Sequence, residues 1–168
     1  MSPDAETQPV TRYHQMRRYM EAAYPAVFTP RKTAPVPLAL GVGVPLVAEL
    51  TDLFGERSAK IFMAAWTCRR EYRWAVLTGT HRHALDGSVS GQISDREREH
   101  ARDQLVDFYA AQYAKRKTPK DDVGNPAKRF PELEAHEEVR LLVIEATKAR
   151  ITARPVRRKR KRRVREDA

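Results

Sequence analysis

Cysteine is almost absent from this sequence, whose 168 residues include a single one, Cys68. One thiol excludes a disulfide framework within the chain and a zinc site built from cysteines alone. Long apolar runs are lacking too, because the longest uncharged stretch, residues 33–48, contains three prolines and is too short to span a membrane. No charged segment followed by an apolar one opens the chain, so we expect a cytoplasmic protein that has no membrane partner.

Catalytic motifs are also missing. Gly41 and Gly43 lack the third glycine of a dinucleotide-binding fingerprint, and no Gly-Lys-Ser or Gly-Lys-Thr phosphate loop occurs. His81 and His83 have no cysteine or acidic residue at a ligand spacing, so we interpret them as surface residues and expect no metal site. We interpret Cys68, on the apolar side of a helix, as a small core residue. We therefore predict a protein that is not an enzyme and requires no cofactor.

Positive charge is abundant and concentrated at one end of the chain. The sequence has 32 Lys and Arg against 22 Asp and Glu, and residues 154–168 hold nine of these cations but only two acids. A segment with so few apolar side chains cannot bury a core, so we predict a disordered basic tail that binds a polyanion, most often nucleic acid. The tail residues predicted to make these contacts are Arg157, Arg158, Lys159, Arg160, Lys161, Arg162 and Arg163.

The spacing of apolar residues predicts a mostly α-helical fold with a small β-hairpin, an α+β arrangement in one compact domain. The domains that we predict are a disordered N-terminus at 1–9, the compact domain at 10–117, a linker at 118–131, a C-terminal helix at 132–153 and the disordered basic tail at 154–168. In the C-terminal helix the face expected to be buried comprises Val139, Leu142, Val143 and Ala146. Whether this helix docks on the domain or on a partner stays open at this stage.

Turn and cap residues mark several boundaries within the domain. Thr67 interrupts a long helical segment, and its hydroxyl is expected to cap the helix that follows. Asp86-Gly87 between short apolar runs predicts a hairpin turn, because glycine accepts positive φ. Ser94 and Glu97 have the spacing of a capping box, which predicts that a helix begins there.

A mixture of basic and aromatic residues lies in the middle of the domain. Residues 56–82 contain six cations and two acids together with Trp66, Tyr72 and Trp74. Cations bind phosphates and aromatic rings stack on unpaired bases, so this combination favours RNA binding. Of these residues, the ones that we select as candidate RNA contacts are Lys60, Arg69, Arg70, Tyr72, Arg73 and Arg82.

The order of several short motifs resembles the ProQ/FinO family of bacterial RNA chaperones. The motifs are Tyr24-Pro25 with Phe28, Pro37-Leu38-x-x-Gly41, Trp66-Thr67 with Tyr72, Arg82-x-x-Leu85-Asp86-Gly87, and His100-Ala101-Arg102. The resemblance covers residues 13–117. Its most specific part is the separation between Tyr72 and the Arg82-x-x-Leu-Asp-Gly motif.

The resemblance implies a function in post-transcriptional regulation by small or antisense RNAs. Members of the family bind a terminator-like stem followed by a single-stranded 3′ tail, with a pocket for the last nucleotide. The resemblance places Tyr72 and Arg82 on the RNA-binding face, and it places Lys60 where a basic residue of the third helix faces RNA. The implied partners are small RNAs, mRNA 3′ ends and terminator-like hairpins.

Two departures from the family pattern remove cations from the same face. Ala39 and Ala64 stand where relatives often have basic residues, and Arg69, Arg70 and Arg73 are candidates to compensate.

The alternatives to an RNA chaperone are a DNA-binding architectural or regulatory protein that uses the tail, and a protein-interaction adaptor that uses the C-terminal helix.

Overall fold

The structure, a computed structural model, describes residues 11–30, 33–115 and 123–153. The predicted N-terminal segment 1–9, residues 118–122 of the predicted linker and the basic tail 154–168 lie outside these ranges. The helices are α1 Arg12–Ala23, α2 Gly43–Phe54, α3 Glu56–Thr67, α4 Arg70–Thr78, α5 Asp95–Ala114 and α6 Glu137–Thr152, and the strands are β1 His81–His83 and β2 Val89–Gln92. The predicted fold class, mostly α-helical with a small β-hairpin, is confirmed.

The described residues divide into two compact units, one that ends at Leu105 and one that begins at Val106. In the first unit, α1, α2 and α3 each contribute apolar residues four positions apart, the spacing that places side chains on one helix face. These pairs are Met16 with Met20, Leu46 with Leu50, and Phe62 with Trp66, and all six residues are buried. They form one core together with Phe28, whose ring centroid lies 4.8 Å from that of Trp66.

The break between α3 and α4 is confirmed, but the predicted role of Thr67 is wrong. The Thr67 hydroxyl bonds back to the Met63 and Ala64 carbonyls at 3.1 and 3.3 Å, so it belongs to the last turn of α3. Arg69 has extended backbone angles at the N-cap of α4 and makes no side-chain cap. Cys68, predicted to be a core residue, is exposed because it is the C-cap residue of α3, beyond the apolar face.

The predicted hairpin forms between β1 and β2, which pair antiparallel with an irregularity between Arg82 and His83. Gly87 in its turn has φ of 87°, and a Cβ there would lie 2.8 Å from that of Ala26, so both backbone and space require glycine. The segment 37–39 runs along the other edge of β1. His83 N donates to the Pro37 carbonyl and Ala39 N donates to the His83 carbonyl, each at 2.8 Å.

The capping box at the start of α5 is also confirmed. The Ser94 amide donates to Glu97 Oε2 at 2.8 Å, and the Glu97 amide donates to Ser94 Oγ at 3.4 Å. This reciprocal pair satisfies backbone donors that the first helical turn leaves without partners. It also holds Glu97 beside β1, where the carboxylate meets Arg82.

In the second unit, residues 123–133 contain two short 3₁₀ helices, Pro126–Lys128 and Pro131–Leu133. Val123, Pro126 and Ala127 are buried, so the described part of the predicted linker packs within this unit. Helix α6 begins at Glu137, later than predicted, because the second 3₁₀ helix occupies residues 131–133. Its buried residues are Val139, Val143, Thr147 and Ile151, whereas the predicted Leu142 and Ala146 are half-buried.

Thr147 replaces an apolar residue in the buried face of α6. Its hydroxyl donates to the Val143 carbonyl one turn earlier, at 2.6 Å. This intrahelical bond satisfies the buried hydroxyl, so a polar residue can occupy a fully buried position.

Candidate nucleic-acid interface

A hollow of about 510 Å³ in the first unit brings three of the predicted site residues together. We call it the α4–α5 pocket. Tyr72, Arg73 and Arg82 line it from α4 and β1. Val76 of α4 also lines it, and the remaining walls come from the end of α3, the α3–α4 turn and α5, through Thr67, Cys68, Arg96, Glu97, His100, Ala101 and Gln104.

Arg82 is held by contacts on two sides. Its Nη1 donates to the Leu38 carbonyl at 2.8 Å and its Nη2 donates to Glu97 Oε1 at 2.6 Å. Only 12% of the side chain is exposed, so the guanidinium has little freedom to move. Its Nε is buried and has no hydrogen-bond partner among the described residues, which leaves a fixed donor unused.

Tyr72 is buried and contacts the same backbone segment as Arg82. Its hydroxyl oxygen accepts a hydrogen bond from the Leu38 amide at 2.9 Å. The two side chains therefore engage both backbone polar groups of Leu38. Tyr72 consequently has a structural role, and it also lines the pocket.

Arg73 links α4 to α5. Its Nη1 lies 3.5 Å from the Gln104 carbonyl oxygen, at the limit of a hydrogen bond. Its Nε is buried and lacks a hydrogen-bond partner within the described ranges. Arg73 and Arg82, which both line the pocket, thus each have one buried N–H group without a hydrogen-bond partner among the described residues.

The α5 wall was not predicted from the sequence. Arg96, His100 and Gln104 follow one another at four-residue steps and line the pocket together. Gln104 Nε2 lies 2.8 Å from His100 Nε2 and donates to it, because an amide nitrogen has no acceptor capacity. Their four-residue spacing beside the buried Ala101 and Leu105 is the sequence feature that could have identified this wall.

Charge in the pocket is predominantly positive. The lining has three arginines, Arg73, Arg82 and Arg96, and a single acidic residue, Glu97. With His100 counted as neutral, the formal charge of the pocket is +2. The Ser94 amide and then Arg82 hold the pKa of Glu97 below its usual range, although partial burial opposes them. Glu97 is therefore ionised at neutral pH. The pocket suits an anionic ligand that leaves room for this carboxylate.

Arg69 and Arg70 do not line the pocket. The Arg69 guanidinium carbon lies 4.6 Å from the Trp66 ring centroid, and 17% of its side chain is exposed. This cation–π contact fixes it against the core. Arg70 Nη2 lies 3.2 Å from the Glu71 carboxylate at the start of α4.

A second hollow, the α2–α3 groove, holds the remaining predicted residue of the domain. It measures about 620 Å³ and is lined by Gly41, Gly43, Val44, Val47, Lys60, Met63, Ala64 and Thr67. Lys60 is exposed and pairs with Glu56 one turn earlier. Leu40 and Val44 beside it are 76% and 78% exposed, which makes this region largely apolar.

The candidate metal ligands have other partners. His83 Nδ1 lies 3.0 Å from the Gly87 carbonyl oxygen, and His81 Nδ1 lies 2.8 Å from the Thr80 hydroxyl. Within the described ranges no three His, Cys, Asp or Glu side chains are grouped so that they could hold a metal ion.

In the same part of the chain, no helix has the length and apolar character needed to cross a membrane. The seven predicted tail residues lie outside the described residues.

Comparison with protein families identifies the family of this chain. Residues 10–118 match the ProQ/FINO family, a span that contains both hollows and six of the predicted site residues. No curated protein matches the chain.

Proposed function

Because the chain belongs to the ProQ/FINO family of RNA-binding proteins, we propose that it is an RNA chaperone for structured RNAs that end in a terminator-like stem and a single-stranded 3′ tail. It acts in post-transcriptional regulation by small or antisense RNAs, in the cytoplasm. Its partners are small RNAs and mRNA 3′ ends, and its role is binding rather than catalysis.

The observation that carries this proposal is the positive charge of the α4–α5 pocket, where Arg73, Arg82 and Arg96 face a single carboxylate. Arg73 and Arg82 are held there by contacts with Gln104, Leu38 and Glu97, whereas Arg96 is exposed. Phosphate oxygens accept charge-assisted hydrogen bonds from guanidinium groups, and these bonds are strong.

Glu97 gives the pocket a preference for the type of strand end. Its ionised carboxylate lies in the pocket beside Arg82. A ribose hydroxyl beside this carboxylate can donate to it, whereas a terminal phosphate in the same place would meet its negative charge. The pocket therefore favours a free 3′ hydroxyl end over a phosphorylated one.

The other predicted residues have separate tasks in this proposal. Tyr72, Arg73 and Arg82 hold the 3′ nucleotides, while the exposed Lys60 and the half-buried Arg70 contact the stem backbone. Arg69, stacked on Trp66, orients the α3–α4 turn that forms one wall of the pocket. The basic tail attracts RNA without sequence preference and brings a second strand close, which speeds pairing.

Sequencing of RNA crosslinked to the protein in cells tests the proposal. We expect reads that accumulate at terminator hairpins and end at the 3′ nucleotide. Recovery of duplex DNA would instead identify a DNA-binding protein, and recovery of protein partners without nucleic acid would identify an adaptor. Either of these results would overturn the proposed function.

A further inference from the structure

The α5 wall of the pocket carries two side chains to which no RNA-binding role has been assigned. We propose that Arg96 and His100 contact the single-stranded 3′ tail at the mouth of the α4–α5 pocket, opposite Tyr72 and Arg73. This inference rests on the proposed function. It extends the site from the α4 and β1 side, where the pocket residues predicted from the sequence lie, to the facing helix.

Arg96 is the cation of the pocket that is best placed to meet a phosphate. Arg82 is bonded to Leu38 and Glu97, and Arg73 is directed towards the Gln104 carbonyl. Arg96 is exposed, lines the pocket and forms no ion pair or hydrogen bond with any described residue. Glu97 does not neutralise it, because that carboxylate bonds to Arg82 and Ser94.

His100 lies one helical turn after Arg96, on the same face of α5. The Gln104 side chain donates to His100 Nε2, so in the neutral ring the proton is on Nδ1, which remains a donor. This hydrogen bond orients the imidazole, which lines the pocket and presents a flat ring on which an unpaired base can stack.

The two residues are expected to contact different parts of the RNA, so their contributions to affinity can be measured separately. An arginine that binds a phosphate releases counterions, so its contribution depends on salt. A ring that stacks on a base contributes with little salt dependence. Together they would make the protein recognise an unpaired tail beyond the terminal nucleotide.

The test measures affinity for two RNAs, a hairpin with a short 3′ uridine tail and the same hairpin with a blunt end, over a series of salt concentrations. Arg96→Ala should bind the tailed hairpin about fivefold more weakly and reduce the salt slope by about 0.7–0.9. His100→Ala should weaken tailed-hairpin binding by roughly fivefold at all salt concentrations, and His100→Phe should restore most of the loss.

Arg57→Ala is the matched control, because Arg57 is exposed, has no ion pair among the described residues and lines neither hollow. It should affect the tailed and blunt hairpins equally. All three wild-type side chains are exposed, so the thermal unfolding temperature should not change.

The outcomes separate this inference from the proposed function. If the wild-type protein prefers the tailed hairpin but Arg96→Ala and His100→Ala match Arg57→Ala, the α5 contacts are overturned and the proposed function stands. If the wild-type protein shows no preference for the tailed hairpin, both are overturned.

Discussion

The α4–α5 pocket and the α2–α3 groove lie in the same unit and have similar volumes, about 510 and 620 Å³. Their chemistry differs. The pocket has three arginines against one glutamate, and two of the arginines are held by contacts with other elements. The groove has one lysine, which is exposed and already paired with Glu56, and its surroundings are apolar.

This difference shows that a concave surface alone does not identify an RNA site. The conformation of Arg82 is fixed before a ligand binds, so binding costs little side-chain entropy at this residue. Lys60 is exposed, so its long side chain must be ordered when RNA binds. An exposed contact between a lysine and a phosphate is therefore expected to contribute little to affinity. We therefore expect RNA recognition to depend on the pocket, with the groove adding weak contacts.

Removal of the basic tail has the largest expected effect and leaves the difference between the two hollows unchanged. Deletion of residues 154–168 removes nine cations, so affinity for all RNAs should fall by about a hundredfold at low salt. Each phosphate contact that is lost should reduce the salt slope by about 0.7–0.9. Preference for the tailed hairpin should persist. Loss of that preference with the tail would show that specificity does not reside in the pocket.

Substitution of Arg82 removes the cation that is held most firmly in the pocket. Arg82→Ala removes the bonds to Leu38 and Glu97 and should lower the free energy of unfolding by about 2–3 kcal/mol. Affinity for the tailed hairpin should fall about tenfold, even where the protein is fully folded. Denaturant titration and RNA binding under native conditions measure the two effects separately.

Two variants serve as controls for Arg82→Ala. Arg82→Lys keeps the charge but cannot reproduce the two-sided contact, so it should recover only part of both losses. Tyr72→Phe keeps the ring and strands the Leu38 amide, which should cost about 1 kcal/mol of stability. Wild-type RNA affinity in folded Arg82→Ala would contradict the role of the pocket.

A cation added to the groove sharpens the comparison. Ala64 is exposed, lines the groove and lies one turn after Lys60, so Ala64→Arg should not disturb packing. It should raise affinity for hairpin stems about threefold, with an increase of up to about 0.9 in the salt slope. Lys60→Ala should lower affinity by less than about twofold. A loss in Lys60→Ala as large as that in Arg82→Ala would remove the distinction between the hollows.

The smallest expected effect is a pH dependence of stability at Glu97. Because its hydrogen bonds lower its pKa in the folded state, Glu97 stabilises the fold above its unfolded pKa, near 4.5, and this contribution is lost as the pH falls through the lower folded value. Glu97→Gln should therefore lose less stability between pH 7 and strongly acidic pH, as measured by thermal unfolding. Glu99→Gln is the control, since Glu99 is exposed and its carboxylate has no partner among the described residues. Equal losses in the wild-type protein and Glu97→Gln would contradict this coupling.

Local features of the fold were predictable from the sequence. The capping box of Ser94 and Glu97 and the turn at Gly87 involve residues close in the chain, so their patterns specify them. The exposure of Cys68 was not predictable, because it depends on the residue at which α3 ends. A shift of one or two positions at a helix end is enough to move a side chain from the core to the surface.

The candidate site was predicted only on its α4 and β1 side, although His100 on α5 also stands in one of the family motifs. Tyr72 and Arg82 were identified, but their contacts with Leu38 join residues 34 and 44 positions apart, which spacing does not reveal. Arg96 and His100 belong to the pocket because α5 faces α4 there, a tertiary relationship. Arg69 follows the same basic pattern as Arg73, yet it stacks on Trp66.

The central claim, that the pocket takes a free RNA 3′ end, is tested most directly by a change in that end alone. The measurement compares the affinity of the full-length protein for one tailed hairpin that carries either a 3′ hydroxyl or a 3′ phosphate, at the same salt concentration. We predict that the phosphate weakens binding about fivefold or more, because it displaces the ribose hydroxyl from its hydrogen bonds and faces the Glu97 carboxylate. Equal or tighter binding of the phosphorylated hairpin would contradict the account, since that is the response of a surface that attracts RNA by charge alone.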